Sequence, residues 1–425
     1  MIYLPKNNIS SRLFLQLVLV LMLVSAGYAQ KVKRISSGYD FSPLQNKIQL
    51  WVDSGYYNGA SIILAKDNKI IYKKYFGNYK QETVAFIASA GKWLAAATIA
   101  AVVDEGKLNW NDNVKKWLPE FTDVKGEATL TQLLSHTAGY PDYQPKENPI
   151  DIYQTLKESV AHIVNLSADT LPGTKFKYGG LAMQVAGRMA ELATGIDWET
   201  LFQQKIAIPL QMRSTHFTPV DSSGGHAPIL GGGARTTLQD YANFLSMINN
   251  EGMFNGKRVL SVNAINAMQA DHVMNARVNP NEFVEHARGS LRKDIYGLGE
   301  WREEVNAKGQ ATLISSPSWA GAYPWIDKKN KLYGFFLTHI SQFKNGFSSF
   351  FTSPVIPIMV RDAIHLQNFT SQQKKSSPFD AAGNILPVNI FERIKPVRIK
   401  NKKSIIRKRV NTGWCKIFKD QKAKK

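Results

Sequence analysis

The sequence predicts an α/β protein in which a single sheet is assembled from both ends of the chain and flanked by helices, with a mostly helical region inserted between the two sets of strands. Three observations carry this expectation. Strand-like apolar runs occur near residue 60 and again between residues 311 and 340, while the stretch from about Leu108 to Met268 shows helical periodicity broken by Pro and Gly. No internal repeat divides the 425 residues, and a hydrophobic content of 44% is enough for one large core.

The first elements follow from local patterns. Lys6 and Arg12 precede an uncharged run from Leu13 to Val24, and Ser25-Ala26-Gly27-Tyr28-Ala29 closes it with small residues. That is the pattern of a secretory leader, residues 1–29, cleaved after Ala29; the run is short for a bilayer span. The mature protein is therefore expected to be periplasmic or secreted. Ala60 to Ala65 and Lys69 to Phe76 flank Lys66-Asp67-Asn68 and read as a β-hairpin. Lys92 to Val103 is apolar nearly all round, which marks a buried helix, and Gly106 is placed to cap its end.

Further helices are expected at 129–134, 150–164, 181–194 and 237–249, strands at 311–315, 322–326 and 331–340, and a closing helix within 347–364. The domain is read as 30–368. Beyond it the composition turns to Ser, Gln, Lys and Pro, and then to a basic tail that is expected to be disordered. Residues 391–425 hold fourteen Lys and Arg against two acids, so the tail supplies +12 of the formal net charge of +20. Charge is thus a property of the tail and says little about the substrate. Two readings of it stay open: an extension without function, or electrostatic association with an acidic envelope surface; no specific nucleic-acid partner is expected.

Cys415, the single cysteine, lies in that tail, which excludes an internal disulfide and argues against a cysteine nucleophile. The eight histidines show no metal-ligand spacing, so neither a catalytic metal nor a cofactor is expected. Gly231-Gly232-Gly233 lacks the Gly-Lys-Ser/Thr of a phosphate loop and reads as a tight turn near a cleft.

Nucleophilic chemistry has one clear candidate. Ser89-Ala90-Gly91-Lys92 opens the buried helix, so Lys92 lies one turn beyond Ser89 on the same face, within reach of its hydroxyl. The same spacing recurs at Ser290/Lys293, Ser341/Lys344 and Ser371/Lys374, but only Ser89 precedes a buried helix, where a lysine is costly without a purpose. Spacing alone leaves both readings open: Ser89 as nucleophile, or as a helix cap with Lys92 reaching the surface.

The surrounding sequence resembles the class C β-lactamase and penicillin-binding-protein family of serine hydrolases and esterases. The resemblance rests on Ser-Ala-Gly-Lys followed by Val103-Asp104-Glu105-Gly106-Lys107-Leu108 and Trp117-Leu118-Pro119-Glu120-Phe121. It continues through Leu133-Leu134-Ser135-His136-Thr137-Ala138-Gly139, Pro172-Gly173 to Gly195, Pro209 to Met212, Gly231 to Thr237 and Asn255 to Leu260, and covers most of residues 59–364. It implies a β-lactamase/transpeptidase-like fold with an antiparallel sheet, and a hydrolase working through an acyl-enzyme on Ser89. It places Tyr178 in the family's second motif, where the tyrosine and Lys92 together deprotonate the serine.

Two departures accompany the resemblance. Gly180 stands where the second motif has an asparagine, and Ser316-Pro317-Ser318 stands where the third has a cation that holds a substrate carboxylate. Gly180, Ser316 and Ser318 are therefore the candidate substrate-contacting positions. The expected substrate is a small ester, amide or peptidoglycan-derived molecule, and the missing cation argues against efficient β-lactam hydrolysis. The alternative is an impaired scaffold that binds cell-wall fragments or a protein partner. His136 is expected to be a buried, hydrogen-bonded histidine, not a base.

Overall fold

A computed structural model of the chain describes residues 38–141, 155–217, 228–278, 292–340 and 355–375. The expected leader at residues 1–29, the basic tail and Cys415 lie outside the described residues.

Helix α1 (Ser42–Asp53) leads into β1 (Tyr57–Lys66) and β2 (Lys69–Gly77). The two strands form the expected hairpin, and its connecting residues Asp67 and Asn68 both take positive φ, 49° and 61°. That left-handed pair matches the twist of the flanking strands, and short polar side chains tolerate it. A short strand β3 (Ala85–Phe86) follows, then a tight 3-10 turn at Ala88–Ala90 and α2 (Gly91–Asp104).

Every residue of α2 from Gly91 to Val102 is buried, so this helix is the axis of the core. It ends as anticipated. Gly106 at φ +71° lets its N–H reach Val103 O and the N–H of Lys107 reach Val102 O, a paired closure of the last turn.

The inserted region contains α3 (Val114–Trp117), α4 (Leu130–Leu134), α5 (Leu156–Val164), α6 (Leu181–Thr194) and α7 (Trp198–Phe202). After β4 (His216–Phe217) and β5 (Ala234–Thr236) come α8 (Leu238–Asn249), the small hairpin β6 (Met253–Phe254) and β7 (Lys257–Arg258), and α9 (Val262–Gln269). Threonine caps set two of the expected starts: Thr129 accepts from Gln132 N within a full capping box, and Thr237 accepts from Asp240 N. Residues 150–154 of the expected 150–164 helix lie outside the described residues.

The chain then returns through β8 (Trp301–Val305), β9 (Ala311–Ser315), β10 (Tyr323–Asp327) and β11 (Leu332–Ile340). The six-stranded sheet has the order β2-β1-β11-β10-β9-β8, antiparallel throughout. The expectation of a sheet drawn from both chain ends thus holds: β1 pairs directly with the last strand.

Alternation along β1 divides the core. Ala60, Ile62 and Leu64 face α1 and the closing helix α10 (Val355–Lys375) through Leu44, Ile48, Trp51, Ile356 and Val360, while Ile63 and Ala65 face α2 and the inserted helices. Helix α10 runs to Lys375, past the expected end at 364 and the domain boundary at 368. Its last turns carry Ser, Gln and Lys, which can continue a helix without announcing it by an apolar stripe. Residues 347–354 of that expected helix lie outside the described residues.

Candidate active site

The turn that carries Ser89 is fixed from three sides. Ile87 N donates to Ala234 O at 3.0 Å, Tyr241 Oη donates to Ala90 O at 2.7 Å, and Ser316 Oγ donates to Ser89 O at 3.2 Å. Within it Ala88 is held at φ +43°, a conformation that L-residues avoid and that persists only where the surroundings over-determine it. Ser89 is buried there, immediately before the first turn of α2.

Lys92, also buried, brings Nζ to 3.1 Å from Ser89 Oγ. Its ammonium donates as well to Gly231 O, which presents the Gly231–Gly233 turn directly to the site. Glycine is required at 231 by close approach: a Cβ there would lie 2.8 Å from Gly180 Cα. On the opposite flank, Gly299 at φ +76° packs on α2, where a Cβ would lie 2.6 Å from Lys92 O. Burial pulls the Lys92 ammonium down from its ordinary value to about 7. A large fraction of neutral amine is thus present near neutral pH, and neutral amine 3.1 Å from a hydroxyl is a competent proton acceptor.

Tyr178 sits in the segment before α6, with its ring face toward the lysine: Lys92 Nζ lies 4.7 Å from the ring centroid. The structure therefore brings Ser89, Lys92 and Tyr178 together. The lysine lies over the π-face of Tyr178 and within hydrogen-bond distance of the serine. His136, at the end of α4, packs its ring on Tyr178 with centroids 4.6 Å apart. Burial and the nearby Lys92 charge hold its imidazole well below the usual histidine range, so it stays neutral.

The other three candidates lie around this group. Gly180 has φ −118°, and a Cβ built on it meets nothing within 4 Å, so the space beside it is open. Ser316 is buried and its hydroxyl is shared between Ser89 O and Gly299 O, at 3.2 and 3.3 Å; this ties the Ser89 turn to the β9–β10 connection. Ser318 is buried too, and its Oγ accepts from Ala320 N while its N–H donates to Ala322 O. Ser316 and Ser318 thus spend these groups inside the protein.

Two residues that the sequence reading passed over stand out. Tyr296 donates to or accepts from His136 Nε2 at 3.2 Å, and Glu300, fully buried just before β8, is pushed well above the usual carboxylate range by burial. Neither belongs to a motif with recognisable spacing, and a lone Glu between Gly299 and Trp301 carries no signal of burial. Among the described residues there is no group of His, Cys, Asp and Glu suited to a metal ion.

Comparison with known proteins shows the family and the fold. Residues 44–347 match the profile of the family described as Beta-lactamase. A crystal structure of a candidate beta-lactamase from Bacteroides dorei DSM 17855 is 50% identical, with a TM-score of 0.74 over 77% of this chain and 99% of that one. The D-alanyl-D-alanine-carboxypeptidase/endopeptidase AmpH of Escherichia coli (strain K12) is 25% identical over 175 residues, 38% of this chain and 46% of AmpH, so the chain spans about half the length of this relative. A family VIII carboxylesterase, 19% identical with a TM-score of 0.57 over 71% of this chain and 92% of that one, shares the fold.

Proposed function

The chain belongs to the beta-lactamase family of serine hydrolases, and from that premise we propose that it is an exported hydrolase that cleaves uncharged esters or amides through an acyl-enzyme on Ser89. The observation that carries this reading is the buried Lys92 amine, 3.1 Å from Ser89 Oγ and held near pKa 7.

In this mechanism neutral Lys92 takes the hydroxyl proton as Ser89 Oγ attacks the substrate carbonyl, and the helix N-terminus behind Ser89 favours the developing negative charge. The proton then passes to the leaving group, with Tyr178 beside the lysine as its carrier. The carbonyl–leaving-group bond breaks and leaves an ester on Ser89. A water molecule, deprotonated by the same pair, attacks that ester, and Oγ departs with a proton returned from Lys92.

The preference for uncharged substrates rests on Ser316, which stands where relatives carry a cation and spends its hydroxyl on two backbone carbonyls. Open space beside Gly180 supports it from the other side, because no side-chain amide is there to orient a peptide group. These same two positions favour the second reading, a scaffold that binds cell-wall fragments or a protein partner without turnover.

One experiment separates the two. A fluorophosphonate probe should label the protein at Ser89, and turnover of a short-chain p-nitrophenyl ester should vanish in Ser89→Ala. A folded protein that neither labels nor turns over any ester, amide or β-lactam tested would leave the binding scaffold as the reading to keep. A companion variant, Gly180→Asn, should fold normally and raise the rate on amides relative to esters.

A further inference from the structure

We propose that His136 and Tyr296 form a hydrogen-bonded pair that holds the ring of Tyr178 against Lys92, which makes both of them positioning residues of the Ser89 site. The inference rests on the hydrolase reading above and names two side chains that act behind its proton-transfer group.

Tyr178 belongs to neither a helix nor a strand. It stands instead in a closed box of four rings. Centroid distances are 4.6 Å from His136 to Tyr178, 5.2 Å from Tyr178 to Trp301, 4.9 Å from Trp301 to Tyr296 and 4.9 Å from Tyr296 to His136. Ring contacts of this kind are adaptable and tolerate rotation, whereas a hydrogen bond is directional. The bond between His136 Nε2 and Tyr296 Oη, 3.2 Å, therefore fixes the orientation of two walls of the box.

The backbone around His136 points the same way. His136 is held at φ +59°, a position that costs a non-glycine residue about 1 kcal/mol or more and survives only where neighbours compel it. Those neighbours are parts of the site. His136 O accepts from Lys177 N at 2.8 Å, next to Tyr178, and Leu134 O accepts from Gly299 N at 3.2 Å, in the turn that packs on Lys92 O. One short segment at the end of α4 thus fastens the tyrosine loop, the glycine turn and the ring box together. The titratable groups around the box are Lys92 on α2, Tyr178 itself, and Tyr296 with Glu300 before β8; Tyr178 and Glu300 both act electrostatically on Tyr296.

The test uses His136→Phe, Tyr296→Phe and the double variant of the full protein, each of which keeps the rings and removes the same hydrogen bond. With a p-nitrophenyl ester, kcat should fall by about tenfold to 100-fold in each, KM should stay within about twofold, and the double variant should be no slower than the slower single. Thermal midpoints should stay close to wild type. Unchanged kcat in the single variants, or a loss of activity that only follows loss of folded protein, overturns the proposal.

A second readout does not depend on turnover. The titration of Lys92, followed by NMR of 13Cε-labelled lysine and assigned with Lys92→Met, should shift upward in both single variants as the loosened box admits water. If wild-type protein fails to label at Ser89 while this shift appears, the hydrolase reading fails and the positioning role stands. If Lys92 titrates at the same pH in all variants, the positioning role fails.

Discussion

At the scale of single residues, the site is built from groups whose charged forms are disfavoured by burial, and each leaves a mark on stability. Lys92 is held near pKa 7 in the folded protein against an ordinary lysine value of 10.5 in the unfolded chain. Because its folded pKa is depressed, the unfolded state binds the extra proton between those limits. Stability on this account is greatest above about pH 10.5 and is lost as the pH falls toward 7, at up to about 1.4 kcal/mol per pH unit. Lys92→Met should remove that slope and raise stability at pH 7 by several kcal/mol while abolishing acylation. Denaturant midpoints at pH 7 and pH 10, together with a labelling assay, check both halves. A variant less stable than wild type at pH 7 would show that the Gly231 contact outweighs the cost of burial. Glu300 has the opposite sign. Its folded pKa is raised, so its contribution is complete below about pH 4.5 and is lost as the pH rises through the folded value. Below about pH 6 Lys92 is charged in both states and adds no slope, while His136, held neutral in the folded protein, contributes with the opposite sign, so the Glu300 contribution is read as the difference between wild type and Glu300→Gln. Between about pH 5 and 6 the stability of the wild type relative to Glu300→Gln should fall as the pH rises, with the rings of the box left in place. Identical slopes for the two proteins would mean that Glu300 does not carry the proton.

At the scale of elements, the cap of α2 offers the cleanest measurement. Gly106 sits at φ +71° and a Cβ there meets nothing within 4 Å, so Gly106→Ala tests backbone conformation without a steric clash. It should lower unfolding free energy by about 1 kcal/mol, read from the urea midpoint at constant slope. This cap was legible in the sequence because Asp104-Glu105-Gly106 interrupts an apolar run, and α6 and α8 were legible from the same kind of punctuation. The hairpin was legible from strict patterning around Asp67 and Asn68. Strand β8 was not: Arg302, Glu303 and Glu304 give it the look of a loop, and the sheet admits them because it is an edge strand. Helix α1 was missed as well, since only Leu44, Ile48 and Trp51 are buried in it and Pro43 near its start reads as a break. Proline in a first turn is in fact compatible with a helix. In the candidate site, the spacing and the buried helix singled out Ser89 and Lys92, and the family resemblance decided between nucleophile and helix cap. Tyr178 needed the family resemblance, Tyr296 was invisible because its hydrogen-bond partner His136 lies 160 residues away in the chain, and Glu300 because nothing in its neighbouring residues signals its burial.

At the scale of the whole molecule, the contrast between the domain and the tail shapes the last prediction. The six-stranded sheet with α1 and α10 on one face and the inserted helices on the other accounts for both large apolar clusters among the described residues, all of which lie before residue 376. Deleting residues 376–425 should therefore leave the cooperative unfolding of the remainder unchanged. The same deletion tests the tail itself. Its cations are interleaved with Ile405, Ile406, Trp414 and Phe418, too few apolar residues for deep insertion into a bilayer, so any association with an acidic envelope surface should be electrostatic. Ionic strength near 0.15 M already screens exposed charges beyond about 8 Å, and binding through such a tail should weaken steeply between low and physiological salt. Vesicles containing anionic lipid should retain the full chain at low salt, release it as salt is added, and fail to retain the truncated chain at any salt. Retention that survives the deletion would place the binding surface on the domain, and no retention at low salt would leave the tail without this role.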